Sequence, residues 1–270
     1  MKAILYDATR CIGCRGCQVA CKQWNELPAE QTKFFAAKGY QNPLDLSAKT
    51  WTLITYNEVR IAERFDWVFG KLQCMHCNEP ACVDSCPAMA LEKLPEGPVA
   101  YHPERCLGCR YCMLACPFQV PRFAWHSAVP VIAKCTMCAE RVKAGLEPSC
   151  VKTCPTDALV FGEREDLIRE AQDRIHRNPS GYVHHIYGKD EVGGTCVLHI
   201  SNVPLETVGY RTDLPLEPLR THSAPAMRPI PGIVLSLSFA LGAVSWIVNR
   251  RIEMNNKEAE TPLEKGGAEA

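Results

Sequence analysis

The sequence predicts an α+β fold made of two similar cysteine-rich modules with insertions, followed by one transmembrane helix at the C-terminus. Three observations support this prediction. Sixteen of the 17 cysteines among the 270 residues fall into four quartets of similar spacing. The segments between and after the quartets alternate as short strands do or carry helical apolar spacing. Near the C-terminus, residues 230–248 contain no charged side chain.

Each cysteine quartet opens with C-x2-C and closes with C-x3-C. In chain order the quartets are Cys11, Cys14, Cys17 and Cys21; Cys74, Cys77, Cys82 and Cys86; Cys106, Cys109, Cys112 and Cys116; and Cys135, Cys138, Cys150 and Cys154. The first and third read C-x2-C-x2-C-x3-C in full, the run that holds cubane iron–sulfur clusters in bacterial ferredoxins. The quartets therefore predict four [4Fe–4S] clusters, ferredoxin-like modules and an electron-transfer function.

The last cysteine of each quartet has a separate role in this prediction. In two-cluster ferredoxins it ligates the other cluster, so the quartets are expected to work in crossed pairs. Proline follows it in three quartets, at Pro87, Pro117 and Pro155, whereas Lys22 takes that place in the first. Because proline fixes φ and has no N–H, it is expected to turn the chain away after the ligand.

Other interpretations of the cysteines remain open at this point. Zinc also binds paired C-x2-C motifs, although it needs no third cysteine two residues after the second. Disulfides suit small secreted scaffolds, and cysteines this close in sequence would form strained bridges. A redox sensor needs only one labile cluster, and four complete quartets argue against it. Cys196, outside the quartets, is predicted to be a small buried apolar residue on a strand.

The formal net charge of the chain is zero when its thiols are counted as neutral. Thiolate ligation would leave about −2 on each liganded cluster. The basic residues near the quartets, which are expected to offset this charge, are Arg15, Lys22, Arg105, Arg110, Lys134, Arg141, Lys143 and Lys152. No basic run is interleaved with stacking aromatics, so no nucleic-acid partner is expected. No motif of a catalytic nucleophile, a Rossmann loop or a P-loop indicates chemistry of its own.

The elements between the motifs follow from local patterns. Strands are expected at residues 51–56, 98–102, 158–161 and 197–200, and helices at residues 111–115 and 163–176. The second helix would place Leu167, Ile168, Ala171 and Ile175 on one face, and residues 178–181 would end it. Residues 204–231 are proline-rich and are expected to form an extended strap.

The uncharged segment is long enough to cross a bilayer once as a helix. Trp246 suits the membrane interface, and Arg250 and Arg251 follow directly. The alternative is a buried helix of a soluble protein. The positive charges beyond the helix favour a cytoplasmic tail and place the clusters outside. The first seven residues already include charges, so no signal peptide is expected.

Taken together, these motifs resemble the iron–sulfur (beta) subunit of membrane-bound respiratory formate dehydrogenase. The broader group serves molybdopterin oxidoreductases of the dimethyl-sulfoxide-reductase superfamily. Beyond the cysteines, the resemblance is carried by Asn42-Pro43, residues 45–51 (Asp-Leu-Ser-Ala-Lys-Thr-Trp), Cys74-Met75-His76-Cys77, Glu147-Pro148, residues 150–156 (Cys-Val-Lys-Thr-Cys-Pro-Thr) and Gly193-Gly194-Thr195.

The resemblance implies how the sixteen cysteines share four clusters. The implied sets are Cys11, Cys14, Cys17 with Cys154; Cys135, Cys138, Cys150 with Cys21; Cys74, Cys77, Cys82 with Cys116; and Cys106, Cys109, Cys112 with Cys86. Quartets one and four then form one ferredoxin-like half, residues 1–25 and 120–165, and quartets two and three the other, residues 66–119. The remaining segments are an insertion at 26–65, the strap at 166–228, the transmembrane helix at 229–249 and a polar tail at 250–270.

The resemblance also implies partners and a location. Electrons would come from a catalytic subunit with a molybdenum or tungsten pterin and leave to a membrane cytochrome b and quinone. The half with quartets one and four would lie nearer the catalytic subunit. The complex would lie in the cell inner membrane, with periplasmic clusters exported together with the partner, or else with cytoplasmic clusters. The alternative function is electron transfer for a nickel–iron hydrogenase or for a sulfur-compound or sulfoxide reductase.

Overall fold

The computed structural model of the chain describes residues 1–32, 40–61, 63–125, 127, 132–221, 225 and 229–259. The chain divides into two units, Met1–Thr221 and His222–Ala270. Parts of the predicted insertion (33–39 and 62), strap (222–224 and 226–228) and polar tail (260–270) lie outside the described residues. The mixed helix and strand content predicted from the sequence is present in the first unit.

The first unit contains short elements separated by the cysteine loops. Its strands, over the described residues, are β1 Lys2–Asp7, β2 Leu53–Ile61, β3 Arg64–Leu72, β4 Leu91–Lys93, β5 Val99–Tyr101, β6 Arg122–Phe123, β7 Ile132–Ala133, β8 Leu159–Glu163 and β9 Val197–Ile200. Its α-helices are α1 Gly16–Trp24, α2 Ala81–Asp84, α3 Tyr111–Ala115, α4 Ala139–Lys143, α5 Ser149–Lys152 and α6 Arg164–Arg177. Short 3₁₀ turns lie at Pro103–Arg105, Glu191–Gly193 and Leu205–Val208.

A three-stranded sheet joins the two ends of the cysteine-rich region. Its order is β8-β1-β9, with β1 antiparallel to β8 and parallel to β9. Because β1 precedes the first quartet and β8 follows the fourth, their pairing brings these two quartets to the same sheet. The other pairs are the ribbons β2–β3, β4–β5 and β6–β7.

Helix packing also brings quartets one and four together, as the pairing of β1 with β8 does, and it brings quartets two and three together. Helix α1, which carries Cys17 and Cys21, packs against α5, which carries Cys150. Helix α2, which carries Cys82, packs against α3, which carries Cys112. Quartet one therefore lies beside quartet four, and quartet two beside quartet three.

Most predicted elements have the predicted type, with small shifts of their ends. Helix α3 and strand β9 have the predicted bounds, while β5, β8 and α6 differ from them by one or two residues. The strand predicted at 51–56 begins at Leu53 and continues to Ile61, because it pairs residue by residue with β3. That register runs from Leu53↔Leu72 to Ile61↔Arg64, which adds cross-strand hydrogen bonds that the local sequence pattern does not reveal.

The main hydrophobic core lies between the three-stranded sheet and α6. Ile4 and Leu5 of β1 are buried there, and so is the predicted face of α6, formed by Leu167, Ile168, Ala171 and Ile175. Each fully buried large aliphatic side chain contributes about 1.5–3 kcal/mol relative to an exposed one. Within the predicted strap, Leu205, Val208 and Tyr210 are buried in the same core. The strap thus supplies part of the core on which the sheet rests.

The second unit contains one long helix, α7, over Ile230–Ala259. The most apolar 18-residue window of this helix has a mean hydropathy of 1.9, and none of that window is buried, so α7 is a candidate membrane span. At 1.5 Å per residue, its 30 residues measure about 45 Å, longer than a hydrocarbon core of about 30 Å. The helix extends beyond the predicted end at residue 249 because polar residues continue it past the apolar stretch.

Candidate metal centres

The four C-x2-C loops share one backbone conformation. In each, the residue before the second cysteine has a positive φ: 66° at Gly13, 49° at His76, 69° at Gly108 and 54° at Met137. Side chains other than glycine adopt this conformation at a cost of about 1–2 kcal/mol. Its repetition in all four loops, two of them without glycine, indicates that the same local geometry is required at each quartet.

The turns after the last cysteine repeat as well. In the three quartets that end in Cys-Pro, the residue three positions after that cysteine has a φ near 50°. These residues are Met89, Gln119 and Asp157. In the first quartet, where Lys22 replaces proline, α1 continues through Trp24 instead. The prediction that proline turns the chain after the ligand agrees with this difference, since only the quartet without proline continues its helix.

The sixteen quartet cysteines differ in their exposure to solvent. Of the sixteen, only Cys14 and Cys109 are exposed. The buried ones are Cys17, Cys21, Cys74, Cys112, Cys135, Cys138 and Cys150, and the other seven are partly buried. Each quartet therefore combines thiols at different depths, and two quartets reach the surface.

The thiols of quartets one and four form two groups of neighbours. In the first group, the Cys11 thiol interacts with the thiols of Cys17 and Cys154, and the Cys17 thiol interacts with those of Cys14 and Cys154. Burial is the main cause of the raised pKa values of Cys11 and Cys17. In the second group, burial, followed by the Cys150 thiol, raises the pKa of Cys21 to about 12. Burial likewise raises the pKa of Cys135, with Cys21 and Cys150 among its neighbours.

Quartets two and three form two further groups. Burial raises the pKa of Cys77, and the thiols of Cys74, Cys116 and Cys82 raise it further. Burial raises the pKa of Cys112 to about 11, and Cys86, Cys106 and Cys109 are its next causes. In both groups the last cysteine of one quartet lies among the first three of the other. Thiols that raise one another's pKa lie close together. A cation bound among them would favour their thiolate forms and release their protons.

Electrostatic interactions also join thiols of different groups. Cys17 of the first group interacts with Cys21 and Cys150 of the second. The Cys135 thiol interacts with that of Cys74, and the Cys82 thiol with that of Cys112. These interactions link the first group to the second, the second to the third and the third to the fourth.

The thiol groups differ from a site for one metal ion. In the part of the chain that the structure describes, no three His, Cys, Asp or Glu side chains converge as they would on a single ion. A zinc site needs four donors at about 2.0–2.3 Å from one point. A cubane instead takes one thiolate at each of its four iron corners, so its ligands are spread around a larger body.

Hydrogen bonds to the sulfurs also fit anionic ligands. Backbone N–H groups of Gly16, Gly108 and Met137 donate to the Sγ atoms of Cys14, Cys106 and Cys135 at 3.5, 3.4 and 3.3 Å. The Ala90 N–H donates to Cys86 Sγ at 3.2 Å. Such bonds stabilise a thiolate more than a thiol, because the acceptor is then charged.

Two buried groups beside the loops lack a partner that an anionic cluster would provide. His76 lies between Cys74 and Cys77 and is fully buried; its Nδ1 accepts from the Val99 N–H at 2.8 Å, which leaves Nε2 as the N–H donor, without a partner among the described residues. The Lys71 ammonium is 1% exposed and has no carboxylate within ion-pair distance among those residues. The residues present therefore fit iron–sulfur clusters held by thiolates.

The basic residues predicted beside the ligands divide into surface and buried positions. Lys134 is 2% exposed, and its Nζ donates to the carbonyls of Val99 and Cys135 at 2.6 and 3.1 Å. Arg15, Arg110 and Arg141 instead lie over aromatic rings. Sequence reasoning missed Lys71 and Lys93, because a charged residue is ordinarily exposed and local spacing does not reveal burial. A local signal for Lys71 is its place in a strand that leads directly into the second quartet.

Cys196 is buried, as predicted, but it is not an isolated apolar residue. The Lys93 Nζ donates to Cys196 Sγ at 3.2 Å, and the thiol lies 3.6 Å from Asn78 Oδ1. It directly precedes β9 and is separate from the four thiol groups, so its contacts are structural ones within the fold.

Comparisons with known proteins agree with this geometry. Two family models, both described as a 4Fe-4S dicluster domain, match residues 10–90 and 65–164. A protein of Nitratidesulfovibrio vulgaris is 44% identical over 232 residues, which cover 86% of this chain and 62% of that protein. The nitrate-inducible formate dehydrogenase iron–sulfur subunit of Escherichia coli is 40% identical over 201 residues, 73% of this chain and 67% of that subunit.

A relative from a different complex is also similar. The hydrogenase-2 operon protein HybA of Escherichia coli O157:H7 is 36% identical over 244 residues, which cover 78% of this chain and 72% of that protein. The matched region thus spans between 62% and 72% of the length of these three relatives.

Proposed function

The chain belongs to the family of iron–sulfur subunits of formate dehydrogenase, and on this premise we propose that it conducts electrons through four [4Fe–4S] clusters from a formate-oxidising partner to a membrane acceptor. It is an electron-transfer subunit and not the catalytic enzyme, and its dicluster domains bind 4Fe-4S clusters. When bound, each cluster supplies a one-electron couple. The proposal comprises the count of four clusters, their ligand sets, the order of the sites and the identity of both partners.

One observation carries the proposal: the sixteen thiols form four groups of neighbours, with electrostatic interactions between thiols of successive groups. The proposed ligand sets are Cys11, Cys14, Cys17 and Cys154; Cys21, Cys135, Cys138 and Cys150; Cys74, Cys77, Cys82 and Cys116; and Cys86, Cys106, Cys109 and Cys112. The neighbours in the raised pKa values of Cys11, Cys21, Cys77 and Cys112 support these sets. Electrostatic interactions between thiols of successive groups support the order given.

The module layout follows from the same pairing. We assign residues 1–25 and 120–165 to one ferredoxin-like half and residues 66–119 to the other. The pairing of β1 with β8 and the packing of α1 against α5 support the first half. The packing of α2 against α3 supports the second.

The first and last sets in this order are the proposed places of electron entry and exit. The first set reaches the surface at Cys14, beside Ile12, which is 59% exposed. The fourth set reaches it at Cys109, beside Leu107, which is 74% exposed. Exposed apolar side chains beside an exposed ligand suit contact with a protein partner. We assign the Cys14 end to the molybdenum or tungsten pterin subunit and the Cys109 end to a membrane cytochrome b with its quinone.

Helix α7 is the proposed membrane anchor. Its apolar stretch is long enough to span a bilayer, and Arg250 and Arg251 follow it. By the positive-inside rule these charges favour a C-terminal tail in the cytoplasm and clusters in the periplasm. We therefore propose a single-pass inner-membrane protein whose cluster unit is exported with its partner.

A second candidate function is electron transfer for a hydrogenase. The similarity to HybA over 72% of that protein favours it, although the identity is lower than to the formate dehydrogenase subunits. The two functions require the same clusters and differ in the electron donor.

The complex purified from its own membranes tests the proposal. Four clusters require about sixteen iron atoms and as much acid-labile sulfide per chain, and low-temperature electron paramagnetic resonance should resolve four reduced centres. Reduction by formate, and not by hydrogen, should produce these signals. A colourless protein with zinc, or cysteines linked as disulfides, would overturn the cluster assignment, and reduction by hydrogen alone would assign the chain to a hydrogenase.

A further inference from the structure

Lys71 occupies a fixed position in the interior of the first unit. It is the second-last residue of β3, pairs with Ile54 of β2 and is 1% exposed. The Lys71 N–H donates to Tyr210 Oη at 2.7 Å, and the Tyr210 hydroxyl donates back to the Lys71 carbonyl at 2.8 Å. Since the Tyr210 ring is itself buried in the core, the backbone of Lys71 is held on that side.

The ammonium group of Lys71 has fewer partners than its charge requires. An ammonium carries three donors, and here one of them is used, by a hydrogen bond from Nζ to Thr52 Oγ1. No carboxylate among the described residues pairs with it. Removing a charged group from water costs several kcal/mol unless an opposite charge compensates. No carboxylate among the described residues provides that charge, which leaves the thiolates of the proposed ligand sets, and the clusters that they would hold, to provide it.

The thiols around Lys71 identify where that anion lies. Its ammonium interacts with Cys17, then Cys150, Cys135 and Cys21. The first of these belongs to the first proposed ligand set and the other three to the second. The strand pairing agrees with this position, because Ile54, the residue opposite Lys71, lines a cavity together with Cys11, Cys17 and Cys154.

We propose that Lys71 is the internal counter-charge shared by the first two clusters and that it holds the reduction potentials of both above those of the same clusters without it; this inference rests on the proposed function. Each reduction adds one negative charge to a cluster of about −2. A fixed positive charge in a low-dielectric interior stabilises the reduced form more than the oxidised one. Lys71 acts through the field at the clusters and is therefore a positioning residue for electron transfer.

Lys22, a surface lysine near the ligands, does not have this arrangement. Lys22 follows Cys21 directly, but its Nζ lies 3.8 Å from Glu30 Oε2 and also donates to the carbonyls of Pro28 and Lys49. Its charge is thus compensated within the protein and partly solvated. Lys22→Met is the matched control, since it removes a lysine of similar sequence proximity without removing an uncompensated interior charge.

The test is a redox titration of the full complex followed by low-temperature electron paramagnetic resonance. Lys71→Met and Lys71→Gln remove the charge with side chains of similar length, and Lys71→Arg keeps it. In both neutral variants two of the four signals should shift to lower midpoint potential while the other two stay within error. Lys71→Arg should restore the wild-type potentials, and Lys22→Met should leave all four unchanged.

Iron content separates failure of this inference from failure of the proposed function. If wild-type complex holds four clusters and all four potentials are unchanged in an iron-replete Lys71→Met or Lys71→Gln variant, the counter-charge role is wrong while the proposed function stands. A uniform shift of all four signals would also contradict the counter-charge role, because the change in potential would then not be confined to the first two clusters. If the wild-type complex lacks the clusters, the proposed function itself fails and this inference with it.

Discussion

Arg174 donates a hydrogen bond from Nη1 to Asp7 Oδ2 at 2.9 Å, with the two side chains 8% and 0% exposed. The bond joins α6, which follows the fourth quartet, to the end of β1, which precedes the first. The Asp7 carboxylate also accepts hydrogen bonds from the hydroxyls of Thr9 and Tyr182 at 2.6 and 2.9 Å. It therefore connects the chain segments on both sides of the cysteine-rich region.

Replacing Asp7 with alanine should destabilise the first unit strongly. The change leaves the Arg174 guanidinium without one of its two carboxylate partners, and breaking a buried pair in this way costs about 3 kcal/mol. For a unit of this size that loss lowers the thermal unfolding midpoint by roughly 6–12 °C. The control is Asp166→Ala, which breaks an exposed pair with Arg169 on the same helix and should cost less than about 1 kcal/mol. Equal shifts in the two variants would contradict the structural role of Asp7.

Cys109→Ser should remove one cluster signal and stop electron flow to quinone. Cys109 is the exposed thiol of the fourth set, and serine is a poor substitute for a thiolate ligand to iron. Reduction of a soluble dye by the catalytic partner should continue, because that reaction does not need the fourth set. The measurement is quinone and dye reduction by the same preparation, with the four spin signals recorded in parallel.

Cys196→Ser is the matched control for the cysteine substitution. Its side chain contacts Lys93 and Asn78 and belongs to none of the four thiol groups, and a hydroxyl retains both contacts. All four signals and quinone reduction should remain. Loss of a cluster in Cys196→Ser, or normal quinone reduction in Cys109→Ser, would contradict the proposed ligand sets.

Gly13→Ala should lower iron occupancy of the first quartet. Gly13 has φ 66°, and a Cβ there would lie 2.6 Å from the Phe69 ring. The backbone conformation costs about 1–2 kcal/mol for alanine, and the ring must move as well. Gly145→Ala has a similar φ of 74° but open space around the Cβ, so it should cost only the backbone term. Iron content and the unfolding midpoint of both variants measure the difference, and restoration of Gly13→Ala by Phe69→Leu would assign the excess to the ring contact.

Local sequence patterns predicted those elements whose form depends on nearby residues. The apolar face of α6 and the strand β9 follow from spacing alone, and the C-x2-C-x2-C-x3-C runs predict iron–sulfur ligands without any structure. The length of β2 did not follow, because it is set by pairing with β3. Burial of Lys71 could not be predicted either, since a charged residue is ordinarily exposed and only the tertiary structure brings the thiols of distant quartets around it.

His185 and Glu191 should make stability depend on pH. His185 Nε2 lies 2.6 Å from Glu191 Oε1, and this hydrogen bond is the main cause of the raised pKa of His185. Burial alone would raise the pKa of Glu191, but hydrogen bonds from His185 and from backbone N–H groups lower it. The raised histidine pKa gives stability that is complete below about 6.5 and is lost as pH rises through the folded value, whereas the glutamate contribution is lost as pH falls through its lowered value.

Thermal unfolding of wild type and His185→Gln checks this dependence. The wild type should exceed the variant by more at pH 6 than at pH 8.5, since a larger fraction of the imidazole is charged at the lower pH. The neighbouring His184, whose Nε2 contacts the Pro179 carbonyl and not a carboxylate, offers the control His184→Gln, which removes an imidazole without breaking an ion pair. A constant difference for His185→Gln would exclude the charged pair as its cause.

Deletion of residues 230–270 should release the chain from membranes when it is made without its partners. The deletion removes α7 with its uncharged stretch, while the ligands and the core lie within Met1–Thr221. The shortened chain should move from the membrane pellet to the supernatant and keep its iron, whereas deletion of 260–270 alone should leave it in the pellet. A second variant, Leu237→Arg with Leu241→Arg, keeps the length but adds about 2.5–3.5 kcal/mol per arginine to insertion at the helix centre, so it should also be released. If the chain without residues 230–270 still sediments with membranes after a carbonate wash, α7 is not the anchor.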